Sequence, residues 1–336
     1  MTDIYPYNKK SIRSHAALSE AAIDELLSTY FGVKTAVVSS ARAGIYHIVK
    51  HLGLTRTDHI VVPDFLCRSV LYILNLYGFG VQQANARTKA VFALHQWGYP
   101  QRMDIIMAEA KKRGWFVIED CAHSFGGSFR GQPIGSFGDA AVVSFPKSFP
   151  TYVGGAVLSK RDDIIASLRD WRSKTRSLGH RLFDHVSVYA ARKNYLLRKL
   201  PFLAHAIYIK SIHFPKIART ALRRFPETLK DLKSEIERRQ YFFQTLKQQA
   251  GGKYYPSNLE EGSEIVPLCV PMFFPESKLL AVQQMLKEKN IVADILHFDI
   301  NRNVLDPQYK KCLAFPCHQH ITEKELSSMC DVVSRT

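Results

Sequence analysis

The sequence predicts an α/β fold: a large domain with a mostly parallel sheet sandwiched by helices, over residues 1–249, and a smaller C-terminal α/β domain, over residues 250–336. Three observations carry this expectation. Short β-rich runs alternate with helical patterns of ten to thirteen residues, the order of βαβ units whose parallel sheet is buried on both faces. Gly251-Gly252 interrupts a long helical stretch, and a new strand–helix–strand pattern follows it. A chain of 336 residues, 46% apolar, is long enough for a large core plus a second unit and too apolar for disorder.

Taken in chain order, Thr35–Ser39 reads as a strand and Ala41–His51 as the helix after it. His59–Pro63 is the next strand, Cys67–Tyr77 the next helix and Ala90–His95 the next strand. Gln101–Arg113 has amphipathic helical spacing and stops at Gly114, which suits a left-handed cap. Trp115–Asp120, Asp139–Phe145 and Gly155–Ser159 are further strands. From Lys160 to about Gln249 the pattern is helical. Glu264–Phe273, Ser277–Lys289 and Ile291–His297 then give strand, helix and strand. No internal repeat or low-complexity segment interrupts the order.

Composition excludes several classes. The six cysteines are Cys67, Cys121, Cys269, Cys312, Cys317 and Cys330, with no CxxC pair among them. Reduced thiols in a cytoplasmic protein are the simplest account. Cys312, Cys317 and His318 offer only three clustered ligands, one short of a closed zinc site, so no metal is expected. Met1–Lys10 is polar and reads as no signal peptide. Leu200–Ile209 is too short to span a bilayer and contains His205.

The formal net charge is +16, and the segment from Arg172 to Phe225 carries +12 of it, with thirteen Lys/Arg against the single acid Asp184. Its basic residues interleave with Tyr, Leu, Ile and Phe at loosely helical spacing. Three readings stand side by side: a solvated helical face, a surface attracting phosphate-bearing substrates, or peripheral contact with an anionic membrane surface. Nucleic acid is not expected, because no recognised binding module accompanies the charge.

The chemistry concentrates between Trp115 and Ser159. There Asp120 ends one apolar strand, and Lys147 follows another. Ser144-Phe145 precedes that lysine and Gly154-Gly155 follows it. A lysine amine can form a Schiff base with the aldehyde of pyridoxal 5′-phosphate (PLP). A carboxylate beside the pyridine nitrogen keeps it protonated, so that the ring acts as an electron sink. In open α/β sheets ligands bind at the carboxyl ends of strands, where Asp120 sits. Read alone, Lys147 would be a surface loop lysine and Asp120 a turn cap.

The motifs VIEDCAHSFG, GSFGDAAVVSF, the lysine after them and GGAVLS resemble the DegT/StrS family of PLP-dependent sugar aminotransferases, which have the fold type I, aspartate-aminotransferase-like architecture. The resemblance extends to LHQWGYPQRMDIIMAEAKKRGW, VVSSARAGIYHIVKHLGL, HIVVPDFLCRSV and LAFPCHQHITEKEL. It covers residues 25–160 and 265–333 and is poor over 165–260. It implies Lys147 as the Schiff-base lysine and general base and acid, and Asp120 as the partner of the pyridine nitrogen. It implies that His123 stacks on or bonds the cofactor ring, and that Ser144 binds the cofactor phosphate. Ser40, Ala41 and Arg42 open the helix after the first strand, where backbone amides favour a bound phosphate.

Three departures accompany the resemblance. Ser-Ser-Ala stands in place of the family's Ser-Gly-Thr, so Ser40 and Ala41 become the amide donors and Arg42 adds charge or lies on the helix surface. Cys67 occupies the position of an aromatic that stacks on the cofactor, a face that Phe65 or another residue would then supply. Lys193-Asn194-Tyr195 lies where an Asn-Tyr-Arg motif would carry Asn194 across a dimer to the partner's phosphate. The resemblance implies a homodimer, a nucleotide-linked keto-sugar as substrate, and an amino acid such as glutamate as donor. A retained lysine argues against the dehydratase branch of the family. The alternative reading is a non-catalytic relative that keeps the fold and uses its basic segment as an anion- or membrane-binding surface.

Overall fold

The computed structural model describes residues 16–149, 151–175, 209–318 and 320–336, the side chains of 227–231 and 257 aside. The densest part of the basic segment, including Arg192, Lys193, Asn194, Arg198 and Lys199, lies outside the described residues.

The strands of the large domain are β1 (Lys34–Val38), β2 (His59–Val61), β3 (Phe79–Val81), β4 (Thr88–Leu94), β5 (Phe116–Asp120), the short hairpin β6 (Ser128–Phe129) and β7 (Gln132–Pro133), then β8 (Ala140–Ser144) and β9 (Gly155–Ser159). Seven of them form one sheet in the order β1-β9-β8-β5-β4-β2-β3. The pairs β2–β3, β2–β4, β4–β5 and β5–β8 are parallel, and β9 runs antiparallel to both β8 and β1. The carboxyl ends of β1, β4, β5 and β8 and the amino end of β9 therefore share one sheet edge.

Helices cover both faces: α1 (Glu20–Phe31), α2 (Ala41–His51), α3 (Arg68–Leu74), α4 (Met103–Arg113), the one-turn α5 (Phe145–Ser148), α6 (Asp162–Lys174) and the long α7 (Arg219–Ala250). Successive side chains of a strand point to opposite faces. Val38, Phe92, Ile118, Val142 and Val157 thus pack against α2, α3 and α6. Their neighbours Val37, Val143 and Leu158 pack against α1 and the start of α7, and Val91 and Val117 against α4. Each such fully buried side chain contributes about 2 kcal/mol. The strands read as continuous apolar runs because both faces are covered.

The second unit has β11 (Cys269–Met272), β12 (Asp294–Asp299) and β13 (Tyr309–Pro316), with α8 (Glu276–Glu288) and α9 (Glu323–Ser334); β10 (Ser263–Glu264) joins β6 instead. Its sheet is antiparallel in the order β11-β13-β12. Its core takes in Phe242, Phe243 and Leu246 of α7, and also Trp97 and Tyr99 from the loop after β4. Cys312 and Cys317 lie inside this core, where burial raises both thiols, that of Cys317 to about 12.

Most of the expected elements are present, with shifted ends. Ala41–His51 is helical over the expected span, Gly114 closes α4 with φ 69°, and Gly251 closes α7 with φ 58°. Other boundaries differ from expectation. Cys67 lies outside α3 as its N-cap, and that helix stops at Leu74. The strand expected over Asp139–Phe145 ends at Ser144, because Pro146 starts a helical turn at Phe145. The strand expected over Glu264–Phe273 divides into β10 and β11. Elements absent from the expectation are α1, β3, the β6–β7 hairpin, β13 and α9, the last opened by a capping box between Thr322 and Glu325. No described helix is long and apolar enough to cross a membrane.

One buried ion pair ties the layers at β1. Asp24 of α1 is 2% exposed, accepts the Val37 N–H at 2.7 Å and pairs with Arg172 of α6 at 2.9 Å. Arg172 also donates to the Val37 carbonyl at 3.1 Å. Arg172 also pairs with Glu20 at 3.2 Å, so removing Asp24 leaves the arginine partly compensated, at a cost of about 1.5–3 kcal/mol. Asp24→Ala should lower the unfolding free energy by that amount in chemical denaturation. A change below about 1 kcal/mol would show that water replaces the carboxylate.

Candidate active site

Asp120 is the last residue of β5 and pairs in register with Leu94 and Val142. It is 5% exposed, and its carboxylate accepts the Ala122 N–H at 2.9 Å. Burial raises its pKa, while the charge of Lys147, that hydrogen bond and His95 pull it back. Lys147 sits on α5, the single turn that begins directly after β8. Its Nζ lies 2.7 Å from His123 Nε2, and His123 Nδ1 accepts the Trp97 N–H at 3.3 Å. Burial is the largest influence on both side chains. It lowers Lys147 from the ordinary lysine range and drives His123 well below the ordinary histidine value. The structure therefore brings together Lys147, Asp120 and His123, three of the residues the sequence singles out.

The second cluster forms where α2 begins. Ser40 is its N-cap, and its hydroxyl accepts the Ala43 N–H at 3.2 Å. Ser39 donates its hydroxyl to the Phe214 carbonyl. Both hydroxyls are thus occupied by the chain itself, and Ser40 is bridged to Gly154 beside the helix start. Ser144, at the end of β8, pairs with Gly155, and its hydroxyl makes no hydrogen bond among the described residues. Arg42 is close enough to Lys147 to oppose its charge. Gly155 allows the close approach of these segments: a Cβ there would lie 2.5 Å from the Val143 carbonyl oxygen and 2.7 Å from the Ala41 nitrogen.

Cys67 is exposed, and its Sγ lies 3.2 Å from the Ser69 hydroxyl. Burial of the sulfur pushes its thiol up, but hydrogen bonds from Ser69 and the charge of Lys147 outweigh that and leave it below its ordinary value. Phe65 stacks on His297 of β12, with ring centroids 4.4 Å apart, and meets Tyr309 edge-on at 4.9 Å. The loop that could have supplied a ring to the cofactor thus supplies one to the second unit. A small cleft opens there, lined by Leu94, Gln96, Phe65, Asp299 and Tyr309 among others.

Three supporting residues are not singled out by the sequence. Glu119, fully buried, accepts the N–H groups of Gly135, Phe137 and Gly138 at 3.0, 2.9 and 2.7 Å and lies 3.1 Å from His95 Nε2. Cys121 lies close to this pair, but the hydrogen bonds account for His95 and Glu119 as a structural hub. Arg239 of α7 is buried and reaches the Lys147 carbonyl at 3.4 Å. Trp97 is held at φ 54° in the left-handed region. A signal for Glu119 does exist in the sequence: an acid inside an apolar strand, followed by a glycine-flanked turn whose amides need an acceptor.

Residues 81–334 match the DegT/DnrJ/EryC1/StrS aminotransferase family. The chain belongs to this family. Similar curated proteins include a GDP-perosamine synthase of Escherichia coli O157:H7, 41% identical over 142 residues, or 36% of this chain and 39% of that one. A UDP-N-acetyl-3-dehydro-alpha-D-glucosamine 3-aminotransferase of Acidithiobacillus ferrooxidans is 40% identical over 140 residues, 34% of this chain and 37% of that one. These matches span less than half the length of the curated relatives. Among solved structures, a DegT DnrJ EryC1 StrS aminotransferase from Brucella abortus superposes with a TM-score of 0.72 at 15% identity, covering 96% of this chain and 91% of that one. The PLP form of a Streptococcus pneumoniae chain gives 0.72 at 15%, covering 97% and 93%. At that identity the likeness is one of fold.

PLP is the cofactor of DegT/DnrJ/EryC1/StrS aminotransferases, and the donor set suits it. A buried carboxylate, a lysine amine, a helix start and the Ser144 hydroxyl line one sheet edge. The glycine at 155 keeps the helix start within reach of β9. Gly155→Ala should leave the secondary structure in place and weaken PLP binding at least about tenfold, since Cβ meets backbone on two sides and the Ala41 amide must move. Titration of the stripped protein with PLP, followed by absorbance, measures it; unchanged affinity would place the phosphate elsewhere.

Proposed function

We propose that the protein is a PLP-dependent aminotransferase that moves an amino group from an amino acid, glutamate in the simplest case, to a nucleotide-linked keto-sugar. The observation that carries this reading is the Lys147 amine held 2.7 Å from His123 at the sheet edge where Asp120 is buried. The names of the two relatives, one a GDP-linked and one a UDP-linked sugar enzyme, support the acceptor class. The family resemblance alone supports its extension to a homodimer in the cytoplasm.

When bound, PLP supplies an electron sink and carries the amino group between donor and acceptor. The amides of Ala41 and Arg42, the Ser144 hydroxyl and the Arg42 charge would hold its phosphate. Asp120 would hold a proton at its ring nitrogen. That pairing also relieves the burial of the Asp120 carboxylate, whose raised pKa marks a charge in want of a partner. Lys147 would move the proton at the donor's α-carbon, as general base and then acid, and would serve the acceptor half in reverse. Burial lowers the Lys147 ammonium from its ordinary range, which favours the free amine such a base requires. Asn194, the residue expected to reach a partner's phosphate, lies outside the described residues.

Two expected outcomes check the assignment. Borohydride reduction of the PLP-loaded protein should fix the cofactor on the peptide containing Lys147, and Lys147→Ala should abolish turnover with the fold intact. A label on another lysine, or full activity of the variant, would sink the role. Asp120→Asn should keep PLP but slow the half-reaction with donor about a hundredfold or more, because size is kept and charge is lost. Unchanged half-reaction kinetics would remove Asp120 from the chemistry and favour the non-catalytic reading.

A further inference from the structure

On the reading that Lys147 is the reactive amine, its competence depends on where its protons lie. Two contacts fix the protons of the neighbouring imidazole. The Trp97 N–H points at His123 Nδ1 from 3.3 Å, and a backbone N–H can only donate. Nδ1 is therefore the nitrogen with the lone pair, and the neutral ring carries its proton on Nε2. Nε2 lies 2.7 Å from Lys147 Nζ. An Nε2–H can only be received by a lone pair on that nitrogen, which an ammonium lacks. A charged lysine would need the proton on Nδ1 instead, where it would face the Trp97 N–H.

We propose that Trp97 and His123 form a relay that holds Lys147 as a neutral, oriented amine. The proton positions follow from the hydrogen-bond network, the usual basis for a histidine tautomer. His123 acts directly on the amine, and Trp97 is a positioning residue acting through His123. The form so held is the nucleophilic one, because only the free base attacks a carbonyl.

The relay has a rigid origin. Trp97 adopts φ 54° and ψ 21°, an unfavourable conformation for a bulky residue that persists only when its surroundings enforce it. Its surroundings do so. The indole is 5% exposed and packs on Phe298, with ring centroids 5.4 Å apart. Its carbonyl accepts the Leu268 N–H at 2.8 Å. Gly98 follows at φ 98°, so close to Val266 that a Cβ would lie 2.4 Å from that carbonyl oxygen. The N–H that sets the His123 tautomer is thus aimed from the second unit.

The charges around Lys147 come from every side. Asp120 on β5, Cys67 before α3 and Cys269 on β11 favour its ammonium form. Arg42 on α2 opposes it, and Arg239 of α7 touches the Lys147 carbonyl. Burial outweighs them and sets the downward direction, and it keeps His123 neutral as well.

The test uses the full chain stripped of cofactor, with histidine labelled by nitrogen-15. Long-range proton–nitrogen correlations should show, at pH 7, a neutral Nε2–H tautomer that disappears in His123→Gln. An Nδ1–H tautomer or an imidazolium at His123 would overturn the proposal. Competitive acetylation across pH, read by mass spectrometry on the Lys147 peptide, gives the second measure. His123→Leu should raise the midpoint by about one pH unit, a roughly tenfold loss of labelling at pH 7. His123→Gln keeps an amide donor and should restore the midpoint. An unchanged midpoint in His123→Leu, or equal shifts in both variants, would overturn the relay. Borohydride mapping to a different lysine would instead defeat the functional reading, and the tautomer result is independent of it.

Discussion

The site depends on one buried carboxylate that does no chemistry. Glu119 has no solvent exposure, and both its oxygens are saturated by three backbone N–H groups and the His95 imidazole. An unpaired carboxylate in that position would be untenable, so the acceptor and its donors form together or not at all. The donors come from the end of β4 and from the turn that leads into β8. Glu119 therefore fixes how β4, β5 and β8 finish relative to one another. Because successive residues of a strand face opposite ways, fixing Glu119 on one face also aims Asp120 on the other. The structural acid and the acid proposed for the chemistry are one residue apart for that reason.

A second constraint joins the two units across the site. The loop after β4 gives its Trp97 carbonyl to Leu268 and its Gln96 side-chain N–H to the His297 carbonyl, at 2.8 Å each. The loop after β2 gives the Phe65 ring to His297 and its Asp64 N–H to the Tyr309 hydroxyl at 3.1 Å. These contacts fall on segments that also carry site residues: Trp97 touches His123, and Cys67 lies two residues after Phe65. The second unit thus does more than cover the sheet edge. It sets the conformation of the loops that line it.

Legibility in the sequence follows local pattern strength. Asp120 and Lys147 are readable because each ends or follows a strongly apolar run with glycines nearby, and α2 is readable from end to end. Three element boundaries depart from the hydrophobic pattern for a local reason: proline at 146 and 267 and the cap at 67 interrupt runs that hydrophobicity alone continues. β13 escapes notice because Lys310 and Lys311 give a central strand a polar start, and only its second half, Cys312–Pro316, is fully buried. β3 is three residues with a glycine in the middle, too short for a period to register. The supporting contacts of Arg239 and Trp97 are beyond the sequence, since Arg239 reaches Lys147 across 92 residues and Trp97 meets Leu268 of the second unit. Tertiary pairing of this kind leaves no local pattern.

The departures at the start of α2 make physical sense once these partners are known. A phosphate cradle at a helix start needs amides that can point outward and a backbone close behind them. Where a glycine stands at the helix start, that residue provides the room. Here Ser40 occupies the position, and the close backbone approach is allowed from across the strand pair, at Gly155. The hydroxyls of Ser39 and Ser40 are engaged by Phe214 and Ala43, whereas the Ser144 hydroxyl makes no hydrogen bond among the described residues. The loss of local hydroxyls is offset by a fixed charge, since Arg42 follows Ala41 directly. Such a cradle would depend more on charge than on neutral hydrogen bonds, and attraction between charges in a partly solvated site weakens as ionic strength shortens the Debye length. On the proposed function, the altered motif would redistribute the anion-binding work over different residues, with Gly155 allowing the close approach and Arg42 adding the charge.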